Sequence, residues 1–411
     1  MISRILADTK IVKLFSPSQR LPFVEFIALM ALTTSLVALT IDGMLPALPA
    51  IGQDLALADP NHTQLIVSMV FLGMAFGQLL FGPMSDSYGR KVALYAGMTV
   101  FMLGCLLSIF ATDFNTMLIG RVLQGIGASA PRVVPMALIR DEYEGRAMAR
   151  VMSLIMMVFI LVPMLAPALG QLVLYIADWR SIFGSFLGLA LILTLWFSIR
   201  QPETLAPENR KPFSFKQVWL GLVEVCRIRA ALGYTLAVGM VSGPFLTYLS
   251  TAQPVLQEQY GLGAQFSLYF AVLALAIGVA SFVNSKLVMQ FGMRFLSRCA
   301  MLGVIGLSLV FLLPVYLTDG NPPLLLFMAY LVAILFCMGM LFGNLNTMAM
   351  EPLGHIAGIG AAVVGSLSTL VSVPLGIAIG MFYDNSVMPL VMGFLICGLG
   401  ALWLIRWAEP E

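Results

Sequence analysis

Charge is what this 411-residue sequence has least of: Asp, Glu, Lys and Arg make up 10% of it, where a soluble domain carries about 25%. With 60% hydrophobic residues, that shortage excludes a soluble core and implies a chain that crosses a membrane many times. The net charge is +2 and no basic run stands out, so no nucleic-acid partner is expected. Histidine is nearly absent: His62 and His355 sit far apart at expected helix ends. Five cysteines, Cys105, Cys226, Cys299, Cys337 and Cys397, form no close pair. Such spacing builds neither a metal site nor a disulfide framework, so no metal and no bound cofactor are expected. No nucleophile–base set appears, so the chain is not read as an enzyme. Residues 1–21 also lack the short apolar core and small-residue cleavage site of a removable leader, and the first apolar segment is expected to stay as an anchor.

What is present is apolar length. A helix needs about 20 apolar residues to cross a bilayer. Twelve such runs occur, near 22–46, 62–83, 91–111, 116–139, 148–176, 180–199, 229–251, 265–288, 295–317, 323–349, 356–380 and 386–407. The connections are short except 200–228, which is polar and holds Pro202, Pro207 and Pro212. The expected architecture is all-α and polytopic: an N-terminal segment (1–21), a six-helix bundle (22–199), a linker (200–228) and a second six-helix bundle (229–407). Nineteen of the 22 Lys and Arg residues fall on the side shared by both termini and the linker, against one, Arg180, on the other. That bias makes both termini and the linker cytoplasmic. The loop after the second span, "FGPMSDSYGRKVAL", aligns with "VNSKLVMQFGMRFLS" after the eighth when Tyr88-Gly89 is set on Phe291-Gly292. Two parallel six-helix repeats are a known transporter plan, with the substrate site between the halves near the midplane.

Two ionisable residues break the apolar spans. Asp42 lies near the outer end of the first and Arg121 near the outer end of the fourth. At 1.5 Å per residue both sit roughly 6–8 Å inside that boundary, so they are natural partners. An intramembrane charge is a functional position by default. The other reading is that the pair only fixes helix packing, or that Asp42 reaches outward from a shorter span. The fourth span also holds Pro131 and Pro135, which interrupt its hydrogen bonding, with Arg132 between them.

Specific motifs narrow the class. Gly82-Pro83-Met84-Ser85-Asp86-Ser87-Tyr88-Gly89-Arg90-Lys91 resembles the G-x-x-x-D-x-x-G-R-K loop of the major facilitator superfamily, and stands where that superfamily has it. "RVLQGIGASA" at 121–130 resembles the superfamily's span-four motif. "LVPMLAPALGQ" at 161–171 resembles the span-five motif of its proton antiporters; Pro163, Pro167 and Gly170 fit, while Ala166 and Gln171 replace usual glycines. "LTIDGMLPALPAI" and the Pro-Glu-Thr at 202–204 look most like its drug-exporting Bcr/CflA-type branch.

The resemblance implies a monomeric drug/proton antiporter in a bacterial inner membrane. The proton is its coupling ion, and a small lipophilic molecule its substrate. Asp42 then holds the acidic position of related antiporters, with Arg121 as the motif arginine. Gly82, Asp86, Gly89, Arg90 and Lys91 would form a cytoplasmic gate, with Gly82 and Gly89 allowing close approach and a tight turn. Asp86 is expected to sit near a helix N-terminus and to pair with cytoplasmic arginines, including those at 140–150. Similar exporters place an arginine where this chain has Met136; Arg132, one turn earlier on the same face, either substitutes for it or snorkels to the cytoplasm. Expected cavity residues are Asp42, Gln124, Arg132, Phe245, Tyr248, Asn344 and Asn346. A dedicated metabolite or siderophore exporter would use the same machinery with more fixed polar groups. A sensor on the same fold would carry a long cytoplasmic domain.

Overall fold

Hydrocarbon offers no partner to a bare peptide group, so a chain this apolar must satisfy its backbone within each segment. The computed structural model describes residues 21–409 apart from Lys211, so residues 1–20 of the expected N-terminal segment lie outside the described residues. Among the described residues the regular structure is entirely helical. The spans are α1 (Phe23–Asp42), α2 (Thr63–Tyr88), α3 (Arg90–Ile109), α4 (Phe114–Glu142), α5 (Gly145–Ile176) and α6 (Arg180–Arg200) in the first half. The second half has α7 (Arg229–Gln253), α8 (Phe266–Phe291), α9 (Met293–Leu317), α10 (Leu324–Met350), α11 (Ala357–Met381) and α12 (Met388–Ala408). α10 and α11 run as one helical stretch, 324–381, folded back at a 3₁₀ turn, Glu351–Ile356.

Three local features depart from expectation. α1 stops at Asp42, short of residue 46, because Gly43 follows and Pro46 opens a 3₁₀ turn over Leu45–Ala47; a proline cannot continue a helix smoothly. The motif at 82–91 is almost all helix: only Gly89 breaks α2 from α3, at φ +106°. Gly292 makes the matching break between α8 and α9 at φ +78°, so the repeat is visible in the backbone. These are left-handed values that glycine alone adopts cheaply. Gly82, by contrast, lies within α2, and a Cβ there would meet Ala362 at an ordinary 3.5 Å. Finally, the linker carries a helix, Phe215–Arg227, whose Gly221 and Val225 are buried while Phe215 and Trp219 stay exposed. Its Gly221 packs on Ile359 of α11.

The halves meet chiefly along two helix pairs, α2 with α11 and α5 with α8, and α7 also packs on α2. The helix ends on the linker side form one face of the molecule and the opposite ends a far face.

Candidate functional site

Asp42 is the last residue of α1 and is 5% exposed. It makes no hydrogen bond or ion pair with any described residue. Tyr248 of α7, in the other half, lies within its electrostatic reach. Next along the chain, Gly43 is met by α5: a Cβ on Gly170 would overlap the Gly43 carbonyl oxygen. The span-five glycine therefore brings two backbones together beside the carboxylate.

Arg121 is fully buried and does not pair with Asp42. Its guanidinium donates to three oxygens: Nε to the Ile66 carbonyl at 2.9 Å, Nη1 to Gln124 Oε1 at 2.6 Å and Nη2 to the Thr40 carbonyl at 3.1 Å. The Phe183 ring lies 5.6 Å from it. Thr40 is in the last turn of α1, where carbonyls have no helical partner and the macrodipole is negative. The cation thus caps the end of α1. Three oxygens hold the guanidinium, and none of its donors goes to Asp42, although Thr40 and Asp42 lie at the same end of α1.

Gln124, expected in the cavity, is buried instead between Arg121 and Ser108, to which its Nε2 donates at 3.1 Å. Asn344 is buried and exchanges two hydrogen bonds with Asn284 of α8, at 3.0 and 2.8 Å. Asn346 donates to the Phe342 carbonyl of its own helix at 2.8 Å. Tyr248 stacks on Phe270 at 6.1 Å, and Phe245 meets Phe342 edge-on at 5.3 Å. Arg132 is exposed and has no hydrogen bond or ion pair among the described residues.

At the linker face the motif residues gather around Arg90. It donates to Asp86 at 2.6 Å, Ser85 at 3.0 Å and both oxygens of Asp141 at 2.8 and 3.2 Å. The expected partners of Asp86 at 140–150 were arginines; the structure uses Arg90 for Asp86 and contributes an aspartate from that stretch. Asp86 also reaches the other half: a Cβ on Gly358, in the first turn of α11, would lie 3.4 Å from its Oδ2. A carboxylate at a helix N-terminus is favourably placed. Glu203 accepts from the backbone N–H of Arg90 and Lys91 at 2.9 and 3.0 Å, capping α3 from the linker. Lys91 Nζ donates to the carbonyls of Ser198 and Gln201, at 3.2 and 2.8 Å, so it ties α3 to the end of α6 within one half.

The far face is bridged as well. Asn61 Nδ2 donates to the Tyr383 carbonyl at 2.8 Å, and Gln64 Nε2 to the Gly380 carbonyl at 3.0 Å. Amide donors thus meet the carbonyl end of α11, while Asp86 faces its amide end. α2 holds α11 at both ends.

The major facilitator superfamily model matches residues 30–376. The chain belongs to that superfamily. It is 30% identical to an uncharacterized MFS-type transporter, YdgK, of Bacillus subtilis over 91% of this chain and 93% of that protein. It is 28% identical to a bicyclomycin resistance protein homolog of Haemophilus influenzae, covering 90% and 93%. With the multidrug resistance protein MdtL of Salmonella typhi it shares 30% identity over 90% and 92%. The fold is that of the solved Escherichia coli xylose transporter XylE in a partially occluded inward-open conformation, at a TM-score of 0.73 and 15% identity, covering 95% and 98%. This superfamily member is therefore a multi-pass membrane transporter and not an enzyme.

Sequence reasoning missed four residues that make these contacts: Glu203, Asp141, Asn61 and Gln64. Pro-Glu-Thr was noted only as a branch marker. A polar amide at a span end carries no local signal, because its partner lies more than 300 residues away.

Proposed function

We propose that this transporter exports lipophilic drugs in exchange for protons by alternating access, with its linker face cytoplasmic. The single observation that supports the reading is Asp42: a buried carboxylate without hydrogen bond or ion pair among the described residues, at the junction of α1, α5 and α7. An isolated anion in such a place is costly, and taking a proton removes the cost. The multidrug and bicyclomycin resistance proteins at 28–30% identity support the drug class. The turn that follows Asp42, Leu45–Ala47, packs on α7 of the opposite half, so the charge of Asp42 bears on how the halves meet. The Asp86–Arg90–Asp141 cluster and the Gln64–Gly380 contact are the inner and outer gates, and each orientation opens one of them. A ligand shifts such an equilibrium only by its differential affinity for the two states. Asp42→Asn tests the reading in vesicles carrying an imposed pH gradient. Proton-driven efflux should vanish while drug exchange without a gradient persists. Undiminished gradient-driven efflux would overturn it.

A further inference from the structure

We propose that the linker helix, Phe215–Arg227, lies in the linker-side leaflet as an amphipathic anchor and binds anionic lipid headgroups through Lys216 and Arg227. Such an anchor needs only the membrane-spanning fold, whatever the protein exports. Three contacts fix where the helix runs. Just before its start, the Phe213 ring lies 6.0 Å from that of Tyr88, the last residue of α2, and edge-on to Phe215 at 5.0 Å. At its middle, Gly221 sits against Ile359 in the first turn of α11. At its end, Arg229 opens α7 two residues after Arg227. All three marks are linker-face ends of spans. The 13-residue helix therefore follows the plane of those ends for roughly 20 Å and does not project into water. It also joins the halves, since Phe213 touches α2 and Gly221 touches α11.

At about 100° per residue, the helix circumference divides into sectors with different neighbours. Gly221 and Val225 are buried, and a Cβ on Gly221 would meet Ile359 and Val363 of α11. Glu224, on the side away from Phe215, pairs with His355 of the 3₁₀ turn before α11. Phe215, Trp219 and Cys226 fall within about 40° of one another and point away from the bundle: Phe215 is 70% exposed, Trp219 63%, and Cys226 is exposed as well. Two large rings one turn apart are costly in water, whereas a tryptophan is favoured at the edge of a bilayer. Lys216 and Arg227 lie roughly 100–120° round from Phe215, on the flank opposite Gly221 and Val225. Both are exposed, and neither has a hydrogen bond or ion pair among the described residues. With the aromatic sector turned into the leaflet, that flank stands level with the headgroups. The one acid of the helix is held by His355, so a second copy of this face would set cation against cation. An anionic lipid surface satisfies the rings and the charges together.

The test uses the full chain in nanodiscs of phosphatidylcholine mixed with phosphatidylglycerol. Single spin labels go on Cys226, kept as the sole cysteine, and on Phe215→Cys and Gln217→Cys in a background with all five native cysteines replaced. Oxygen, which dissolves in lipid, should relax the labels at 215 and 226 more than a water-soluble nickel chelate does. The label at 217, on the polar side, should show the reverse. A fluorophore on Cys226 then reads headgroup preference, as quenching by brominated phosphatidylglycerol against brominated phosphatidylcholine. The anionic lipid should quench more strongly, and Lys216→Gln and Arg227→Gln should each lower that preference about fivefold. Both changes are on exposed side chains, so an unaltered detergent melting temperature should accompany them. A label at 215 that the nickel chelate reaches freely would place the helix in water and overturn the proposal. So would a label at 215 shielded from both reagents, which would mean that a second copy or another protein covers the face. Equal quenching by the two lipids, or a preference that survives loss of both cations, would overturn the headgroup site.

Discussion

Asp86→Asn removes one charge from the linker-face cluster and nothing from the cavity. The Asp86 side chain is 40% exposed, so its ion pair with Arg90 is worth about 0–1 kcal/mol. Arg90 remains held by Asp141 at 2.8 Å. The larger loss is the carboxylate facing the first turn of α11, worth about 0.3–1 kcal/mol and up to about 2 when partly buried. Together these give about 1–2 kcal/mol against the closed linker face, a shift of about 5- to 30-fold between the two orientations. The readout is the alkylation rate of Met136→Cys, in a background with the five native cysteines replaced, using a charged thiol reagent added from the linker side. The rate should rise within that range, and drug Kd should change less than about twofold, since the binding groups are untouched. A mutant with lost drug affinity and an unchanged alkylation rate would refute the gate assignment.

The far-face gate should answer in the opposite sense: Gln64→Leu removes the donor to Gly380 and should slow the same alkylation while exposing far-face residues to reagent. Gly170→Ala drives a methyl into the Gly43 carbonyl, a clash of about 1–3 kcal/mol that should lower transport with protein still in the membrane. Gly184→Ala, with open space around it, is the control and should stay within about 0.5 kcal/mol of wild type by thermal unfolding. Arg121→Gln forfeits the bonds to Ile66 and Thr40 and should lower the detergent melting temperature, each orphaned carbonyl costing about 1–3 kcal/mol. Arg121→Lys should recover only part of that loss, because an ammonium cannot span the same fork; full recovery would show that charge alone matters.

Span number, the halfway repeat and the breaks at Gly89 and Gly292 were legible in the sequence because each is a local property. Apolar length is counted along the chain, and a left-handed turn selects glycine wherever it occurs. Asp42 stood out for the same reason: a charge in an apolar run is anomalous whatever surrounds it. Depth along a helix could also be read, at 1.5 Å per residue, which placed Asp42 and Arg121 at one level. Their partners could not: Arg121 donates to the Thr40 carbonyl, and Asp42 has no hydrogen bond or ion pair among the described residues. The same limit hid Gln124 behind Arg121, put Asp141 rather than an arginine in the linker-face cluster, and concealed the grip of Asn61 and Gln64 on the end of α11. The Asp141, Asn61 and Gln64 contacts join residues from 51 to 322 positions apart. They exist because helices of like composition pack by the shape of their faces, and shape belongs to the bundle and not to any one span.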